Sequence, residues 1–203
     1  MTYKNIIFDI GRVLFDYRWK EMFMDCGLEE EEALRVGNLI FADPEELWHE
    51  MDLGNRSVAD ITEEYVRRFP EEEEYLRWFI AHGEYMQVPR PRVWKMVHRL
   101  KEKGYNIYLL SNYPKDHFYK HTEYADFMKD VDGYMVSFMI HETKPSPAIY
   151  QALMDKYRLK PEECLFFDDR KENVEGAIAL GMASKQVLSQ EGLLEDLKLL
   201  VEE

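Results

Sequence analysis

The chain has 203 residues, 46% hydrophobic and 14% aromatic, enough for one sizeable core plus a smaller insert and too apolar for a disordered chain. Its 40 acidic against 26 basic residues leave a formal charge of −14, which argues against nucleic acid and against an anionic membrane as partners. No apolar run is long enough to cross a bilayer, the first strand begins too early to leave a signal peptide, and Cys26 and Cys164 stand in no metal or redox spacing, so a reduced, cytoplasmic protein is expected.

Asn5 to Asp9 is a continuous apolar run of the kind buried on both faces of a parallel sheet. From about Tyr17 to Val88 the pattern becomes helical. That stretch holds no convincing strand, and its apolar stripes are Leu47, Trp48 and Met51, then Leu76, Phe79 and Ile80. Pro89-Arg90-Pro91 marks the return to the main domain. Val93, Trp94, Val97 and Leu100 lie on one face of a helix that stops at Lys103-Gly104. Further strands are expected at Asn106 to Leu110, Tyr134 to Phe138, Leu165 to Phe167 and, at an edge, Ala183 to Val187. Ala148, Ile149, Ala152 and Leu153 line one intervening helix; Val174, Ala177, Ile178 and Leu180 line another, closed by Gly181. This alternation predicts an α/β fold with a doubly wound parallel sheet, built from residues 1–16 and 89–203, and a helical cap at 17–88 inserted after the first strand. The acidic runs Glu29 to Glu32 and Glu71 to Glu74 read as first turns of helices, where carboxylates suit the dipole.

In an open parallel sheet, ligands bind beyond the carboxyl ends of the strands. Asp9, Ser111 and the pair Asp168-Asp169 all fall there, with Lys144 in a Lys-Pro-Ser-Pro turn. Singly, each has a structural explanation as a turn former, a helix cap or a surface lysine. Jointly, in this order, they suit phosphoryl transfer. Asp9 would attack phosphorus and form an aspartyl phosphate. A hard octahedral cation, Mg2+, would take oxygens from Asp9, from the backbone carbonyl of Gly11 and from Asp169, with Asp168 adding a further carboxylate. Ser111, Asn112 and nearby backbone N–H groups would hold phosphate oxygens, and Lys144 would offset the charge of the nucleophile and of the phosphoryl group.

These pieces resemble the haloacid dehalogenase superfamily, whose members are mainly phosphatases. The motifs are Phe8-Asp9-Ile10-Gly11-Arg12-Val13-Leu14, then Leu109-Leu110-Ser111-Asn112, then Lys144-Pro145-Ser146-Pro147-Ala148-Ile149-Tyr150, and finally Phe167-Asp168-Asp169 with Asn173 and Val174 a turn later. The resemblance covers the whole chain. It implies a Rossmann-like core, a helical cap, Mg2+ dependence and Asp9 as nucleophile, acting on a small phosphorylated metabolite such as a sugar phosphate. The form of the motifs looks most like the subgroup containing bacterial glucose-1-phosphate phosphatases and the phosphatase half of epoxide hydrolases.

One position departs from the pattern. Most phosphatases of the family carry a second aspartate two residues after the nucleophile, as general acid and base; here the residue is Gly11. A backbone carbonyl still serves a cation, but the leaving group then takes its proton from the cap, from water or from the substrate. Arg12, where glycine is usual, either contacts substrate phosphate or pairs with a surface glutamate. Two other readings compete: a dehalogenase, which uses a nucleophilic aspartate without metal and leaves Asp168-Asp169 unexplained, and a catalytically weak member acting as a binding or regulatory protein.

Overall fold

A computed structural model describes residues 3–42 and 47–202. Its seven strands are β1 (Asn5–Phe8), β2 (Phe15–Tyr17), β3 (Gln87–Pro89), β4 (Asn106–Ser111), β5 (Gly133–Val136), β6 (Cys164–Asp168) and β7 (Ala183–Gln186). The helices are α1 (Trp19–Asp25), α2 (Glu30–Phe41), α3 (Leu47–Leu53), α4 (Val58–Arg68), α5 (Glu73–Ala81), α6 (Pro91–Glu102), α7 (Lys115–Thr122), α8 (Pro147–Tyr157), α9 (Lys171–Ala179) and α10 (Gln190–Glu202).

The main sheet is parallel in the order β5-β4-β1-β6-β7. Its central strands read as unbroken apolar runs because side chains alternate between two buried faces. Ile6, Phe8, Ile107, Leu109, Leu165 and Phe167 join the residues of α6 and α10 on one side, while Ile7, Tyr108, Leu110 and Phe166 join those of α8 and α9 on the other. Phe8 pairs in register with both Leu109 and Phe167. Asp9 therefore leaves the sheet level with Asp168 and one residue short of Ser111.

Helices α1 to α5 hold a separate apolar cluster that includes Met22, Phe23, Val36, Met51, Tyr65, Leu76 and Phe79. The glutamate runs behave as helix starts. Glu30–Glu32 form the first turn of α2, where Glu30 pairs with Lys20 at 2.6 Å, and Glu73 opens α5 and pairs with Arg77 at 2.7 Å. Ser57 caps α4 by accepting the Asp60 amide at 3.0 Å, and Ser146 with Pro147 starts α8.

Three details differ from the sequence pattern. Tyr17 and Gln87–Pro89 belong to a short antiparallel ribbon, β2 with β3, that connects the helical region to the sheet; three-residue strands containing a proline leave no periodic signal. The strand expected to run to Phe138 ends at Val136, because Ser137 turns inward, where its hydroxyl accepts the Tyr113 amide. Ile178, expected on a buried face, is 54% exposed.

Candidate active site

Asp9 is buried at the end of β1, and its amide donates to the Phe167 carbonyl at 2.9 Å, which fixes it against β6. Its Oδ1 accepts from the Ser111 hydroxyl at 2.6 Å and lies 2.9 Å from Lys144 Nζ. Lys144 is also buried. Its ammonium donates to the Leu110 carbonyl at 2.8 Å and to Asp168 Oδ2 at 2.6 Å. Asn112 clasps the backbone of Lys144 from both ends, accepting its amide at 2.8 Å and donating to its carbonyl at 3.0 Å. The amide expected to hold phosphate is thus occupied in holding the lysine.

The paired aspartates differ sharply. Asp168 is fully buried and accepts from Lys144, from the Arg170 amide at 2.8 Å and from Asn173 Nδ2 at 3.0 and 3.1 Å. Asp169 is half-buried and faces a cavity of about 710 Å³ that Asp9 and Lys144 also line. One carboxylate oxygen from each of Asp9, Asp168 and Asp169 can be chosen so that all lie within 4.8 Å of one another.

The electrostatics match that crowding. Burial pushes the Asp9 carboxyl up to about 7; Lys144 opposes this, while Asp168 and Asp169 add to it. Asp169 is raised by burial and then by Asp168. Lys144 loses charge preference to burial, but Asp168 and Asp9 more than restore it. Hard oxygen donors packed this closely, with the charges of Asp9 and Asp169 held back first by burial and then by neighbouring carboxylates, suit a hard divalent cation.

Gly11 and Arg12 occupy the loop after β1. A Cβ built on Gly11 would sit 2.7 Å from the Tyr17 hydroxyl, so the tyrosine fills the space in front of it. Arg12 has a φ of 55°, a conformation that costs a non-glycine residue about 1–2 kcal/mol. Its carbonyl accepts from Arg90, which also holds Asp16 at 3.0 Å. The Arg12 side chain lines the cavity beside Asp169, and among the described residues no glutamate pairs with it.

The other wall comes from the helical region: Trp19, Ile40, Phe41 and Trp48, with Met86 from the segment that leads back to the sheet. His49 and Asp52 of α3 and His117 of α7 add polar groups. Asp52 was not visible as a site residue in the sequence. Its only signal is a carboxylate beside an apolar stripe, and that describes many solvated helices.

The family model for haloacid dehalogenase-like hydrolases matches residues 3–181. The sesquiterpene phosphatase astK of Aspergillus oryzae is 24% identical over 98% of this chain and 97% of its own length. The bifunctional epoxide hydrolase 2 of Mus musculus is 30% identical over 49% of this chain, which spans 19% of that relative's length. Among solved structures, the HAD family enzyme bt-2542 of Bacteroides thetaiotaomicron, in complex with magnesium and inorganic phosphate, has a TM-score of 0.70 at 20% identity, covering 93% of this chain and 96% of its own.

Proposed function

The chain belongs to the haloacid dehalogenase-like hydrolases, and we propose that it is a Mg2+-dependent phosphatase of small phosphorylated metabolites, working through an aspartyl phosphate on Asp9. The observation that carries this reading is Asp9 itself: a carboxylate buried at a strand end, held by Ser111 and Lys144, and set beside two further carboxylates.

Asp9, Asp169 and the Gly11 carbonyl would hold the ion, with Asp168 behind them. A bound Mg2+ supplies positive charge that keeps the carboxylates ionised and draws charge from the phosphoryl oxygens. Asp9 is the attacking group, because the Ser111 hydrogen bond and the Lys144 ammonium fix one of its oxygens. Lys144 offsets negative charge as it builds between Asp9 and phosphorus. Asp168, Asn112 and the Leu110 carbonyl keep that ammonium in one place. Arg12 serves the phosphate oxygens, beside the Ser111 hydroxyl that holds Asp9. Residues 17–88 act as a cap that closes over the phosphate and selects what carries it. The wall of Trp19, Phe41 and Trp48 suits a compact organic group that packs on a ring face, a sugar among them. The carboxylate cluster disfavours a metal-free dehalogenase, for which Asp169 has no task.

The test is phosphate release from p-nitrophenyl phosphate and a panel of phosphorylated metabolites, with Mg2+ and with EDTA. Turnover only with the metal is expected. Halide release from 2-haloacids in EDTA, without phosphate release from any ester, would replace this reading with the dehalogenase one.

A further inference from the structure

An alkyl phosphate leaves as an alkoxide unless something protonates it, and among the described residues the floor of the cavity holds no free acid. Lys144 already serves Leu110, Asp168 and Asp9. The loop after β1 offers Gly11, whose approach is filled by Tyr17. The Tyr17 hydroxyl is itself committed. It is hydrogen-bonded to Tyr113, Tyr113 to His121 Nδ1 at 2.6 Å, and His121 Nε2 to the Gly83 carbonyl at 3.0 Å. A neutral His121 can donate to that carbonyl only from Nε2. Its Nδ1 then accepts from Tyr113, whose oxygen accepts the Tyr17 proton. His117 lines the cavity but burial holds its imidazole down to about 4, so it carries no extra proton near neutrality.

One acid remains. Asp52 of α3 lines the same cavity as Asp9, and its Oδ1 is sealed from solvent with no hydrogen-bond partner among the described residues. Burial, then the charge of Asp9, pushes its carboxyl up to about 8, against the pull of Arg170 and Lys144. A carboxyl in that state is a neutral donor at physiological pH. Its backbone is pinned to the sheet domain: the Asp52 carbonyl accepts from the Ser137 hydroxyl, and the next carbonyl, of Leu53, is bonded by His141 Nδ1 at 2.9 Å. An orphaned buried carboxyl oxygen costs free energy, and here it belongs to a half-buried side chain set in the same cavity as the nucleophile.

We propose that Asp52 is the general acid and base of this phosphatase, reaching the leaving-group oxygen from the helical side of the cavity. The proposal rests on the function set out above. In the first step an Asp9 oxygen bonds to phosphorus, the P–O bond to the leaving group breaks with its electron pair going to oxygen, and that oxygen takes the Asp52 proton. In the second, water attacks the aspartyl phosphate, its proton goes to the Asp52 carboxylate, and the P–O electron pair returns to Asp9 as phosphate departs. Both carboxyl groups end as they began.

The experiment compares kcat/KM of the wild type, Asp52→Asn, Asp52→Glu and His49→Gln, all with Mg2+, on aryl phosphates of decreasing leaving-group acidity through to simple alkyl phosphates. Asp52→Asn should lose about 10²–10⁴-fold on alkyl phosphates, but under about tenfold on p-nitrophenyl phosphate, whose leaving group needs little protonation. Asp52→Glu should recover part of the alkyl activity, and His49→Gln should keep the wild-type dependence. Circular dichroism and a thermal melt confirm that the variants fold. An equal loss on every substrate would make Asp52 structural. No loss, or a steepened dependence in His49→Gln instead, would also overturn the assignment while leaving the phosphatase intact. A wild type that releases phosphate from none of the esters removes the proposed function and this role with it.

Discussion

The cavity has a floor and a roof of opposite character. The floor is charged and densely cross-bonded. Asp9, Ser111, Lys144, Asp168 and Asn173 are all buried, and most of their polar atoms meet one another or a strand carbonyl. The roof is aromatic, built from Trp19, Phe41 and Trp48 over a core of its own, with Asp52 left unsatisfied among them. Buried charge is tolerated only where partners are fixed, and parallel strands bonded on both sides fix them. The helices reach the sheet through the β2–β3 ribbon and the end of α3, and so the roof is free to specialise in shape. That difference in constraint suits a floor that holds fixed charge and a roof that varies in shape.

The sharpest way to break the floor is Asp9→Asn. The amide keeps the shape and leaves Lys144 its pairing with Asp168, so the protein should melt as the wild type does while kcat falls at least about a thousandfold. Retained turnover in a preparation free of wild-type enzyme would end the covalent mechanism.

The two neighbouring aspartates should separate into stability and activity. Asp168→Ala leaves the Lys144 ammonium and the Asn173 amide without their shared acceptor, and breaking such a buried pair costs about 3–5 kcal/mol. Asp169→Ala removes a half-buried carboxylate held under repulsion. Urea midpoints should fall for the first and hold or rise for the second. Asp169→Ala should instead weaken the response to added Mg2+ by about 10–100-fold or more, given what the loss of even an outer-shell partner of a metal costs. Equal stability losses would mean that the two residues do the same job.

Much of the floor was legible in the sequence, because Asp9, Ser111 and Asp168 each end an apolar run and strand order brings such ends together. Lys144 needed its Lys-Pro-Ser-Pro turn to stand out. The roof was legible only as helical. Asp52 acquires its meaning from Asp9, 43 residues away in sequence, and no periodicity records that. Gly11 was visible as a missing acid, but the Tyr17 side chain that fills the space in front of it belongs to a three-residue strand that the pattern hides. This gives a smaller test. Gly11→Ala should cost about 1–3 kcal/mol as an overpacked contact, measured by denaturation, and Tyr17→Ala in the same chain should relieve most of it. Failure of that relief would place the strain in the loop backbone instead.

The smallest effect lies at the seam where roof meets floor. His117 is buried, stacks on Trp48 of the roof at 5.9 Å and on His121 at 5.6 Å, and sits so close to Gly83 that a Cβ there would fall 2.0 Å from its Nε2. Burial, helped by His121 and Lys120, lowers its imidazole from 6.5 to about 4. The unfolded chain therefore binds a proton below about pH 6.5 that the folded chain refuses until about pH 4, and the imidazole's contribution to stability falls with pH across that window. Linkage puts the loss at about 1 kcal/mol between pH 7.5 and 5.5. His117→Gln cannot titrate, so the gap in unfolding free energy between it and the wild type should narrow by that amount on going from pH 7.5 to 5.5. Carboxylates common to both proteins cancel in the comparison. A gap that stays constant would mean that the folded seam accepts the proton, with the roof opening enough at mild acidity to hydrate the ring.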